Sequence, residues 1–166
     1  MREPRERACA EIRTALADLD LEWSEPEPGL FSVRLPGTRK LSTDCALEVG
    51  RHGLNIRAFV ARKPDENHEG VYRWLLERNL RLDGIAFTLD ALGDIYLTGR
   101  RSLAAVTGAE VDQLLGAVAD ASDSSFNTIL ELGFATSIRR EWAWRRSRGE
   151  STSNLADFTH LDPYVP

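Results

Sequence analysis

Apolar residues recur along this chain with two different periods, and each change of period marks a boundary between elements. From Pro4 to Leu19, Ala8, Ile12, Leu16 and Leu19 fall at steps of three and four, while Arg5, Glu6, Glu11, Arg13 and Asp18 lie mostly off that stripe. Such steps share one side of an α-helix, so 4–19 is predicted helical, with Pro4 in the first turn. The segment DLEWSEPEPG, with two prolines and a glycine, reads as a break. The period then drops to two. Phe31, Val33 and Leu35 point one way in a short strand, LFSVRLP, and PGTRK follows as a turn. Two longer strands, LSTDCALEVG and GLNIRAFVARK, flank the turn residues Arg51 and His52 between Gly50 and Gly53. In the second, Leu54, Ile56 and Ala58 alternate with Asn55, Arg57 and Phe59, so one face is packed and the other partly wet.

Asp65 or Asn67 caps the next predicted helix, which runs to about Asn79. A hairpin follows over GIAFTLDALGDIYLTG, with Ile85, Phe87, Leu89, Ile95 and Leu97 on the packed face and Gly93 in the turn. The stretch GRRSLAAVTG leads out of the sheet, and AEVDQLLGAVADA is a helix buried through Val111, Leu114, Leu115 and Val118. Ser122 or Asp123 is expected to cap a last helix, SSFNTILELGFATSIRREWAWRRS, with a stripe of Phe126, Ile129, Leu130, Phe134, Ile138 and Trp142. Gly133 within it marks a kink or a close helix contact. Leu155, Phe158 and Leu161 give the remainder a short apolar turn that docks on its own domain or on a dimer mate. The order α-β-β-β-α-β-β-α-α predicts an α+β fold, an antiparallel β-sheet packed against helices. It forms a single domain over 1–148 with a tail over 149–166.

Composition adds bounds to this outline. A chain of 166 residues is long enough to bury a core without staples. A net charge of −5 and a pI near 5.3 oppose a general nucleic-acid role. The cations are 19 Arg and only 2 Lys, a bias we attribute to GC-rich coding. No run approaches the roughly 18 apolar residues of a membrane span, and the start MREPRERACAEIR lacks a signal peptide's apolar centre. A cytoplasmic location is therefore expected, without membrane insertion. Cys9 and Cys45 form no CxxC, and Cys45 alternates with Leu47 and Val49 as core filler.

Candidate chemistry is sparse. His52 sits in a turn, His68 near a helix start and His160 in the tail, so nothing points to a triad. Neither a metal-ligand spacing nor a phosphate-binding glycine loop is present, and no cofactor is expected. Asp90 and Asp94 in DALGD read as caps of a hairpin turn. Arg100 and Arg101 in TGRRS lie beyond a strand end, either as a solvated turn or as an anion anchor. The segment SIRREWAWRRSR carries five Arg against one Glu, interleaved with Trp142 and Trp144. Arg and Trp are enriched at binding hot spots, which makes Arg139, Arg140, Trp142, Trp144, Arg145 and Arg146 candidate partner-binding residues. Alternatively Trp142 continues the core stripe while the arginines pair with Asp18, Asp20, Glu22, Glu25 and Glu27, or the segment touches a membrane or nucleic acid. The sheet also offers strand edges for backbone pairing with an extended peptide.

The helix VYRWLLERN, the hairpin IAFTLDALGDIYLTG, the helix EVDQLLGAV and the following DSSF together resemble the YbjN family, in an actinobacterial-type member. The resemblance spans about residues 20–135 and rests on packing and turn motifs, which specify fold more than activity. It implies the type III secretion chaperone-like fold, whose members are small, acidic, commonly dimeric proteins that bind segments of other proteins. It also implies a link to signalling or stress regulation, with no established reaction and no catalytic residues to carry over. The expected function is a non-enzymatic protein-interaction module, chaperone-like or regulatory, acting as a homodimer on a protein partner. The alternative is a sensor for an anionic metabolite held by Arg100 or Arg101.

Overall fold

The structure, a computed structural model, describes residues 3–165, so Met1, Arg2 and Pro166 at the ends of the predicted domain and tail lie outside it. Helix α1 (Pro4–Asp18) buries Ala8, Cys9, Ile12, Ala15 and Leu16, close to the predicted stripe. Four strands follow where three were expected: β1 (Glu22–Glu27), β2 (Leu30–Pro36), β3 (Ser42–Val49) and β4 (Gly53–Ala61). Strand β1 is the stretch read as a break. It is an edge strand antiparallel to β2, and its register shifts between Ser24 and Glu27 across Pro26. Proline is tolerated at an edge because only one side of the strand needs donors.

Helix α2 (His68–Asn79) then leads to β5 (Ala86–Leu89) and β6 (Ile95–Ser102), so TGRRS belongs to a strand rather than to a loop beyond its end. The six strands form one antiparallel sheet in the order β1-β2-β3-β4-β6-β5. Phe31, Val33, Cys45, Leu47, Leu54, Ile56, Ala58 and Leu97 are buried on one face. Helices α1 and α3 (Gly108–Gly133) pack on that face, and α2 packs on α3 and β5. The opposite face, with Ser32, Arg34, Asp44, Glu48, Asn55, Arg57 and Phe59, is exposed. The period-two pattern thus assigned both faces, except that Leu89, expected on the packed face, is exposed at the end of the edge strand β5. In the β5–β6 turn, Asp90 accepts the N–H groups of Leu92 and Asp94, and Gly93 supplies a φ of 87°.

The expected helix boundary at Ser122 and Asp123 does not exist. Helix α3 runs through it for 26 residues, and the break comes at Phe134, before α4 (Ala135–Arg148). Ser and Asp interrupt helices when they bond their own backbone, and here both side chains are engaged elsewhere. Ser122 shares a 2.8 Å hydrogen bond with Thr43 on β3. The Asp123 carboxylate accepts the N–H groups of Thr38, Arg39 and Lys40 at 2.8–2.9 Å, capping the β2–β3 turn instead of its own helix. The tail over 149–165 includes a run of 3₁₀ turns, Ser153–Leu161, that buries Leu155, Phe158 and Leu161 against its own chain.

Candidate interaction surface

The direction of α4 is set at a joint built from the β4–α2 loop. Gly133 lies so close to that loop that an added Cβ would come 2.9 Å from Pro64 Cβ and 3.1 Å from Val71 Cγ2. Its carbonyl accepts the N–H groups of Asp65 and Glu66 at 3.0 and 3.2 Å, which occupies the end of α3. Glu66 then caps α4 from outside, accepting Thr136 N–H at 2.7 Å and Thr136 Oγ1–H at 2.9 Å. These bonds, the backbone one foremost, hold the Glu66 carboxyl below its ordinary range. Asp65 is lowered to about 2, first by Arg62 at 2.6 Å and then by Ser137 at 2.8 Å. Arg62 also covers the Phe134 ring, 4.4 Å from its centroid.

From this joint α4 presents two different faces. Ile138 and Trp142 are buried, and Trp142 Nε1–H donates to the Phe158 carbonyl at 3.0 Å, so Trp142 holds the tail rather than facing solvent. Arg146 pairs with the buried Asp162 of the same tail. Arg145 pairs with Glu141 at 2.6 Å and donates to the Ser151 carbonyl at 3.0 Å. The expected pairing with Asp18, Asp20, Glu22, Glu25 and Glu27 does not occur: α4 packs chiefly on α3 and the tail, and its arginines pair with Glu141, Glu150 and Asp162 there. Arg140, Trp144 and Arg148 lie at i, i+4 and i+8 on the outer face. Trp144 is 45% exposed with the Arg148 guanidinium 5.1 Å from its ring. Arg139 is exposed beside this stripe, and among the described residues no carboxylate lies within ion-pair distance of Arg139, Arg140 or Arg148. Two residues along a helix turn the side chain by about 200°, which is why Trp142 and Trp144 part company.

Arg100 and Arg101 do not converge, since adjacent strand residues point to opposite faces. Arg101 is held by Glu110 at 2.6 Å and donates to the Gly84 carbonyl, whereas Arg100 stands on the open face opposite Asn55. The sheet edges are less available than expected. Asn79 accepts Phe87 N–H at 2.7 Å and donates to Phe87 C=O at 3.2 Å, reproducing on β5 the two bonds a further strand would make. At the other edge β1 carries Pro26 and three glutamates, features that oppose strand addition. Burial pushes the Cys45 thiol up to about 12, which leaves it protonated and inert in the core. Among the described residues no group of three or more His, Cys, Asp or Glu is placed to hold a metal, and no helix is long and apolar enough to cross a membrane.

In solved structures the chain is similar to a chain of the heterodimeric ExoU–SpcU complex from the type III secretion system of Pseudomonas aeruginosa. That likeness has a TM-score of 0.52 at 15% identity, over 73% of this chain and 96% of that one. A second similarity is to a chain of the ExsC–ExsE complex, with a TM-score of 0.51 at 18% identity over 78% and 97%. At these identities the likeness establishes the fold. Among sequences, an uncharacterised protein of Mycobacterium leprae is 54% identical over 93% of this chain and 86% of the relative. One of Mycobacterium tuberculosis is 54% identical over 92% and 86%. A family model described as "Putative bacterial sensory transduction regulator" matches residues 8–131, from α1 almost to the end of α3. The sheet, the helices on its inner face and this match agree: the chain belongs to the YbjN family.

Proposed function

We propose that this protein is a non-enzymatic interaction module of the cytoplasm, which binds an acidic surface of a protein partner through the outer face of α4. The observation that carries the reading is the stripe Arg140–Trp144–Arg148, where an exposed indole lies among cations that, among the described residues, have no carboxylate within ion-pair distance. Buried Trp and Arg anchors dominate binding energies, and unpaired charge steers oppositely charged partners. Arg139 joins this surface, while Trp142, Arg145 and Arg146 support it indirectly by fixing α4 against the tail. The solved fold neighbours are chains of two-protein complexes, which is consistent with such a role.

We further infer that the module works as a homodimer through the outer face of α2. Leu76 and Leu80, one turn apart, are 68% and 89% exposed there, and Leu89 on the adjacent β5 is 44% exposed. An apolar stripe of this kind on a folded chain marks an association surface. The α4 reading is tested by pull-down from the native cell with wild type, Trp144→Ala and the double variant Arg139→Glu/Arg140→Glu. Loss of the wild-type partners, equivalent to more than about 2 kcal/mol for the combined changes, is expected. An unchanged partner set with all three proteins sinks the proposal.

A further inference from the structure

A groove of about 690 Å³ runs between the end of β4, the turn before β3, the C-terminal half of α3 and the inner side of α4. Its floor is apolar, formed by Phe126, Leu130, Phe134, Ile138 and Leu155, with Phe59 at the β4 rim. Phe134, Ile138 and Leu155 belong to the region beyond residue 131, where the family match ends, so the groove arises where α4 and the tail meet the family domain. Its volume falls within the range of genuine ligand sites, about 300–1,000 Å³.

Charge on the lip is one-sided. Arg62 is taken by Asp65 at 2.6 Å and Glu141 by Arg145 at 2.6 Å, which leaves Arg39 and Lys40. Among the described residues neither has a carboxylate within ion-pair distance. The Lys40 ammonium donates to the Ser42 carbonyl at 2.7 Å and lies 5.9 Å from the Phe126 centroid, half-buried at the groove wall. Both cations sit on the turn whose three successive N–H groups Asp123 holds, so their backbone is fixed before anything binds. The apolar surface also continues past the lip, through Phe59 at 38% exposure to Leu41 at 83%. A compact metabolite needs several converging polar groups to orient it, and this floor offers none. An amphipathic protein segment needs what is present, a row of apolar seats with complementary charge at the side.

We propose that this groove receives an acidic amphipathic segment of a protein partner, with its apolar side chains on Phe126, Leu130 and Phe134 and an Asp or Glu against Lys40 and Arg39. The inference rests on the interaction-module reading but uses the inner side of α4 rather than its outer stripe.

The test uses a phage library of random 16-residue peptides selected on the full chain. Enriched peptides should carry Leu, Ile or Phe at spacings of three or four with Asp or Glu among them. They should bind at least about tenfold more weakly to Lys40→Glu and to Leu41→Glu, which alter the lip, and equally well to Trp144→Ala. Thermal melting of each variant establishes that it is folded, and Phe126→Ser serves as a third probe of the floor. Peptides that are basic, or whose binding is lost in Trp144→Ala and kept in the groove variants, overturn the groove proposal and leave the α4 reading standing. Absence of enrichment over an unrelated protein also overturns it, while the pull-down decides the α4 reading separately. Saturable binding of dodecanoate without peptide enrichment would assign the groove to an acyl carboxylate. A doubling of mass abolished by Leu41→Glu would assign it to a second copy. Either result overturns the proposal.

Discussion

Asp123 holds with one carboxylate a turn that is distant from it in sequence. Oδ1 accepts three successive N–H groups and Oδ2 accepts the Thr38 hydroxyl at 3.0 Å, bonds that hold the acid below its ordinary range, led by the one from Lys40. Asp123→Ala would strand those donors and should destabilise the protein by about 1–3 kcal/mol in urea titration. Glu25 behaves in the same direction. The Arg13 fork at 2.8 Å, with help from Gly29 N–H, lowers its carboxyl to about 2 from an ordinary value of 4.5. A carboxyl depressed by folding contributes stability that is fully present above its unfolded value and lost as pH falls through its folded one. Melting temperature should therefore decline between about pH 5 and pH 2, and the gap between wild type and Glu25→Gln should close over that window. A gap independent of pH would show that the ion pair does not contribute.

At the scale of elements, the joint between α3 and α4 decides which side chains reach the surface. Gly133 is the pivot, and its environment inverts the usual glycine rule. Replacing a helical glycine by alanine ordinarily stabilises by about 0.5–1 kcal/mol, and Gly116, with open space around the Cβ position, should behave that way. At Gly133 the same methyl group meets the Pro64 ring and Val71, so Gly133→Ala should instead cost about 1–3 kcal/mol. Differential scanning calorimetry on the two variants reads the opposite signs directly. Two shifts of the same sign would contradict the close approach at the joint.

Considered as a whole, the molecule is a sheet covered on one face by α1 and α3, with α2 at one side and α4 with its tail at another. Both edges are blunted, by the Asn79 amide on β5 and by Pro26 and glutamates on β1, so association by strand addition is disfavoured. Side-chain surfaces remain: Leu76 and Leu80 on α2, and the Arg/Trp stripe on α4. If the first forms the dimer, Leu76→Glu/Leu80→Glu should run as a monomer by light scattering with its melting temperature nearly unchanged, since both residues are exposed. A dimer that persists in this variant would move the contact elsewhere.

The alternation of Phe31, Val33, Cys45, Leu47, Leu54, Ile56, Ala58, Ile95 and Leu97 was enough to place the strands and their inner face, because side-chain direction in a strand depends only on position parity. The stripe in α1, the β3–β4 and β5–β6 turns, the family and the α+β class were legible for the same reason, that each depends on residues close in sequence. Even the separation of Trp142 from Trp144 could have been read from helical phase. What the chain did not disclose locally was decided by contacts between distant segments. Strand β1 exists because β2 supplies its partner, despite two prolines nearby. Helix α3 passes Ser122 and Asp123 because Thr43 and the 38–40 turn draw their side chains away, and it ends at Gly133, whose carbonyl the distant Asp65 and Glu66 N–H groups take. Arg100 and Arg101 face apart, and Arg146 is spent on Asp162. A polar side chain's role depends on the partner it meets, and that partner's position is fixed only when the whole chain has folded.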